Sequence, residues 1–219
     1  ERQDHPDRDR LAMQDLTPAD VELLTHELNL RETTPTTLHA LQASFRKSWF
    51  SHFKNMNREQ IDEIDEKGKT KKNPHPDSVA AWARENGVNE LAAEGLHDKL
   101  RRLFDKTYIV EKPAADSVAE VIRSLEAGKH VVLSFGKFES DLDYLLVSNL
   151  LTRKIRERWE QTTNQFRNGK EAPRQLVIVI EEAHKLLNRE MAGQTTFATI
   201  AREMRKYYVT LLIIDPRPS

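Results

Sequence analysis

The 219 residues contain no cysteine. Disulfides and cysteine-based metal sites are therefore excluded within them. Glycine is scarce, with only seven in the chain, and that texture suits a helix-rich protein. Long apolar runs are missing too. The longest are about six residues, far short of the roughly 20 that a membrane helix needs. No signal peptide is visible, so we expect no membrane association and a cytoplasmic location. An excess of charge of either sign is also absent. The formal net charge is −1, which rules out the global basic field that advertises nucleic-acid binding, although a local patch is compatible with it. The chain begins at Glu1 rather than Met and stops at "DPRPS". We expect it to be part of something longer.

What is present is a chain that is 32% charged and 38% hydrophobic, long enough for one large domain or two small ones. Its first half reads as helices. In "TPADVELLTHEL", Thr17 is the expected N-cap, Pro18 the first helical residue and Asp20 the partner of a capping box. "TPTTLHALQASFRKSWFSHF" places Leu38, Leu41, Phe45, Trp49 and Phe53 on one helical stripe, which is ordinary bundle core. "NREQIDEIDEKG" reads as a polar helix ending near Gly68, followed by a basic, proline-containing loop. Asp77 and Gly87 bracket the next helix, and a further one aligns Leu96, Leu100, Leu103 and Phe104.

From about Tyr108 the texture changes to alternating strands and helices. "TYIVE", "HVVLSF", "QLVIVI" and "VTLLII" read as strands. Helices are expected from Asp116 to Gly128, from a Ser140/Asp143 capping box onward, and across "TTFATIAREMRKY". Continuous apolar strands separated by helices imply a parallel sheet covered on both faces. We therefore expect an α/β fold with two parts, a helical subdomain over 1–106 and a parallel-sheet core over 107–219.

The stretch "LVIVIEE" carries the chemistry. A buried strand that runs into two adjacent carboxylates, Glu181 and Glu182, is costly unless the acids bind a metal or act on a substrate. The form is that of a Walker B element, with one acid for Mg²⁺ and one for the attacking water, at the strand end where ligands of open α/β sheets collect. The competing explanation is an acid-rich helix start favoured by the dipole. A phosphate loop, Gly-x-x-x-x-Gly-Lys-Ser/Thr, is not found. Gly68-Lys69-Thr70 has Glu63 where the first glycine belongs and follows no expected strand, and "LSFGKF" lacks the first glycine and the hydroxyl residue. Two Glu-x-x-His spacings, at Glu94/His97 and Glu181/His184, match that of di-iron bundles. One contains Gly95 and the other crosses a strand-to-helix junction, which argues against a shared metal. Lys67 to Lys72 reads as a mobile loop in preference to a DNA-facing one, and "RKIRERW" as a salt-bridged helix surface in preference to a grip on DNA phosphates.

The residues after the acids narrow the reading. "VIVIEEAHKLL" followed by "IAREMRKYYVTLLIIDPRPS" resembles the HerA–FtsK superfamily of ring-shaped ATP-driven DNA motors, and HerA-like ATPases most closely. The block runs from Glu181 to Ser219, with a weaker resemblance back to Tyr108. The resemblance implies a RecA-like core of the P-loop NTPase kind, here without its phosphate loop, and an amino-terminal helical insertion. It implies that Glu181 coordinates magnesium, where most relatives have Asp, and that Glu182 is the catalytic acid. It implies that Arg205 is the arginine finger acting on ATP in the neighbouring subunit, with Arg202 as second choice. A solvated basic helix face is the other account of Arg202, Arg205 and Lys206. Asp215 and Pro216 replace the usual Ser/Thr-Gln sensor pair, and Arg217 follows the match. The cofactors implied are ATP and Mg²⁺. The partners implied are double-stranded DNA, further copies in a ring of six, and a nuclease, in DNA end processing or repair or in antiphage defence. The rival expectations are a catalytically inactive ATPase-derived structural or regulatory module, with Asp215-Pro216 as its trace, and an ATPase acting on protein or secretion substrates.

Overall fold

The computed structural model describes residues 10–64, 70–135, 140–169, 171–181 and 202–214. The chain is mixed α/β with short strand pairs, two of them parallel. It divides into two compact units, Glu1–Ala114 and Ala115–Ser219. Among the described residues no helix is long and apolar enough to cross a membrane.

The first unit is built on α1 (Pro18–Glu22), α2 (Thr34–Phe45), α3 (Trp49–Asn55), α4 (Val79–Glu85) and α5 (Glu90–Phe104). The Thr17 cap behaves as its sequence implies. Thr17 N–H donates to the Asp20 carboxylate at 2.8 Å and the capping box is complete. The apolar stripe from Leu38 to Phe53 is not one helix. The chain turns at Arg46, which has φ 53°, through a 3-10 turn over Arg46–Ser48. The turn keeps the stripe pointing inward. Leu38, Leu41, Trp49, Phe50 and Phe53 are all buried, and the Trp49 indole N–H finds the Leu16 carbonyl at 2.9 Å. Each such side chain contributes roughly 1.5–3 kcal/mol on leaving water. Ser78 rather than Asp77 caps α4, accepting from Ala81 N–H at 3.1 Å. Gly87, at φ +67°, ends that helix region as expected.

Two expectations fail in this unit. The polar helix before Gly68 and the basic loop after it are the arms of a hairpin, β1 being Leu11–Ala12, β2 Gln60–Ile64 and β3 Thr70–Pro74. The register sets Asp62 opposite Lys72 and Glu63 opposite Lys71. Opposite charges facing across an antiparallel pair stabilise it, and that pairing is invisible to local periodicity. The short strand at Ile109–Val110, β4, pairs in parallel with β1.

The second unit holds α6 (Ser117–Glu126), α7 (Asp141–Arg167), β5 (Leu176–Glu181) and β6 (Val209–Ile214). Ser140 caps α7 through its hydroxyl, which accepts from the Asp143 N–H at 3.3 Å and donates to the Asp143 carboxylate. β5 and β6 are adjacent and parallel, from Leu176 opposite Val209 to Glu181 opposite Ile214. The face carrying Leu176, Ile178, Val209 and Leu211 packs on Ile155 and Trp159 of α7, with Ile122 and Leu125 of α6 alongside. The Trp159 indole donates to the Arg174 carbonyl at 2.8 Å and fixes the entry into β5.

"HVVLSF" departs from expectation. Residues 131–135 have no regular secondary structure and pair with no strand among the described residues, and Val132 is 88% exposed. A Cβ on Gly128 would come within 2.8 Å of the Arg174 guanidinium. Seven residues on, the Phe135 ring packs edge-on to Tyr144 at 4.7 Å. Tyr144 in turn bonds to Glu181, seven residues beyond Arg174. The helix expected across "TTFATIAREMRKY" falls mostly outside the described residues. Its described end is helical at Arg202 and Glu203 and then tightens to a 3-10 turn over Met204–Tyr207.

Candidate active site

Glu181 is the last residue of β5 and is exposed. The strand reaches it through Leu176–Ile180, whose β-branched residues favour an extended, half-buried backbone. Ile180 is buried behind it. The Tyr144 hydroxyl, on the first turn of α7, donates to the Glu181 carbonyl at 3.1 Å. The carboxylate thus sits at the carboxyl end of a parallel strand pair, on a backbone that two elements hold. No sequence signal pointed to Tyr144. Its only mark is its place four residues after the Ser140 cap, where the first helical turn lies over the strand end.

Glu182, Asp215 and Arg217 lie outside the described residues, as do His184 and Pro216. Arg202 and Arg205 are described and exposed. Arg205 lies in the Met204–Tyr207 turn, four residues before the start of β6. That turn is firmly held. Met204 is buried against Ile155, Trp159 and Val209. Tyr208 takes the left-handed conformation, φ 64°, and its N–H bonds the Arg205 carbonyl at 3.2 Å. The Tyr208 carbonyl then accepts from Leu176 N–H at 2.9 Å, which starts the β5–β6 ladder. A bulky residue in this conformation is uncommon, and here it aligns the turn with the strand.

The structure does not bring Glu181 and Arg205 together. Val209 pairs with Leu176 and Ile214 with Glu181, so the arginine is at the amino end of the pair and the acid at the carboxyl end. Five residues of strand at about 3.3 Å each separate those ends by roughly 17 Å. Arg205 makes no ion pair among the described residues.

A magnesium ion keeps most of its waters and binds through one or two carboxylates plus phosphate oxygens. A single exposed carboxylate such as Glu181 fits that demand. It does not make an all-protein metal cage, and among the described residues no group of three or more His, Asp or Glu does so. Glu94 is engaged by Arg58 at 3.4 Å, and His97 is buried. No family model matches the chain, and no curated protein or solved structure is significantly similar to it.

Proposed function

We propose that this chain is the carboxyl-side portion of a RecA-like ATPase core with an amino-terminal helical insertion, working in a HerA-like, ring-shaped motor on double-stranded DNA. The phosphate-binding loop is supplied from outside these 219 residues. What supports the reading is the Glu181-Glu182 pair at the carboxyl end of β5, next to β6 in parallel register, followed by the "IAREMRKYYVTLLIIDPRPS" block. In this reading Glu181 holds magnesium, which offsets triphosphate charge. Glu182 orients the attacking water and takes its proton. Arg205 reaches the ATP of the neighbouring subunit. Its distance from Glu181 along β6 suits action between subunits rather than within one.

Hydrolysis at subunit interfaces of a hexamer would drive translocation or unwinding, with a nuclease as the working partner in end processing or defence. The test is ATP turnover by the intact ATPase with and without double-stranded DNA. Stimulation by DNA supports the motor, and turnover indifferent to DNA points to a protein or secretion substrate. One observation favours a second reading. Asp215-Pro216 stands where a sensor pair is expected, so ATP binding without turnover would mark a regulatory module instead.

A further inference from the structure

His97 lies in the middle of α5 and is 5% exposed. Its ring is set between Phe53 of α3, edge-on at 5.1 Å, and Phe104 at 5.3 Å. Among the described residues neither ring nitrogen has a hydrogen-bond partner. A neutral imidazole tolerates this setting, whereas an imidazolium there would be a buried charge without a partner. The charged groups that act on the ring are Arg101 and Asp98 of α5 and Arg58 of the segment after α3. Two of the three are cations. The Phe53 backbone also favours the charged ring, but it makes no hydrogen bond of normal geometry to it. Within α3 itself, Lys54 is committed to the Phe104 carbonyl at 2.9 Å and His52 is stacked outside on Phe45.

Asp98 has a second task. With Glu94 it pairs to Arg58, two residues before β2. Asn57 and Glu59, on either side of Arg58, carry the base of the hairpin. Val79 N–H bonds the Asn57 carbonyl at 3.0 Å and His75 N–H the Glu59 carbonyl at 2.9 Å. Among the described groups, Asp98 is the carboxylate that favours a charged His97; it also lies 3.9 Å from Arg101 and shares with Glu94 the tie from Arg58 at the hairpin base to α5.

We propose that His97 is an acid-sensitive latch: on taking up a proton it draws Asp98 away from Arg58 and loosens α3 and the β2–β3 hairpin from α5. Burial first, and then Arg101, hold the ring below the ordinary histidine value of 6.5. Above that value the ring is neutral whether the latch is closed or open, and nothing changes. Below it the open form takes the proton and the closed form resists, so closure weakens as pH falls. Each pH unit in that window lowers the closing equilibrium constant by up to about tenfold.

The experiment measures amide hydrogen exchange and thermal unfolding of the chain between pH 7.5 and 5, in the parent, His97→Phe and His97→Leu. Exchange is corrected for its intrinsic pH dependence. The expected result is that α3 and hairpin amides lose protection below pH 6.5 in the parent alone. An equal loss in the apolar variants overturns the proposal. Loss of thermal stability without early exchange of the hairpin overturns the latch, leaving an ordinary buried histidine. Where neither variant folds, the ring proton shifts of His97 in the parent decide it. Titration at or above 6.5 with no change in α3 protection sinks the idea.

Discussion

The Tyr144 hydroxyl donates to the Glu181 carbonyl at 3.1 Å, joining the first turn of α7 to the last residue of β5. The bond links the residue that caps the strand to the helix that covers it. Phe135 packs on the same tyrosine ring, so three segments converge on the strand end where the acids begin. Tyr144→Phe keeps the ring contact and removes the bond. We expect a loss of about 0.5–1.5 kcal/mol, the usual net worth of one hydrogen bond, read by chemical denaturation. Faster amide exchange should be confined to Ile180, Glu181 and the start of α7. A change spread evenly over β5 and β6 would argue that the bond is incidental.

Glu182→Gln in the intact ATPase should abolish turnover and spare ATP binding. Glutamine keeps the shape of the side chain but cannot take a proton from water. The expected loss is roughly 10²–10⁴-fold, measured by phosphate release beside nucleotide affinity. Turnover within about twofold of the parent would remove Glu182 from the site.

Arg205→Ala should lose turnover with nucleotide affinity and assembly retained. Arginine fingers act on transition-state charge and are worth about 10³–10⁵ in rate. The position of Arg205, at the far end of β6 from Glu181, makes the stronger claim that it works in trans. Mixing inactive Arg205→Ala and Glu182→Gln subunits should therefore restore part of the activity. No recovery in mixed rings of verified composition would leave Arg205 a structural residue.

The legible parts of this chain were those whose causes are local. The Thr17/Asp20 box and the Ser140 cap each span only four residues, and both caps form. The apolar runs of β5 and β6 were readable because nothing else suits so many β-branched residues in a row. The hairpin was missed because Ile61 and Ile64 repeat at a helical spacing while the stabilising charges, Lys71 and Lys72, lie on the other arm. "HVVLSF" has the same apolar pattern as β5, yet a strand exists only through its ladder, and 131–135 has none among the described residues. The break at Arg46 follows from tertiary demand, since the Trp49 indole reaches the Leu16 carbonyl only after the turn. Of the candidate site, the acids and the arginines stand out in the sequence as a motif, and of them the described residues place Glu181, Arg202 and Arg205. Tyr144 does not stand out, because its role depends on where α7 lies over the strand.

The last prediction concerns the side of the strand pair turned away from α7. Parallel sheets are normally covered on both faces. In β5–β6 the residues facing away are Val177, Val179, Leu212 and Ile214, between 45% and 55% exposed. Together they make an apolar face of the kind that marks a contact surface or an aggregation liability. Val179 and Leu212 sit opposite one another in the register, so Val179→Lys with Leu212→Glu places an opposite-charge pair across the two strands. If the face is free in the isolated chain, the double variant should fold within about 0.5–1 kcal/mol of the parent. It should also suppress concentration-dependent self-association in sedimentation velocity. If the face is instead internal, two buried charges replace two apolar side chains, and the loss should exceed about 3 kcal/mol. That larger loss would refute an open face and show that the second layer of this sheet comes from the chain itself.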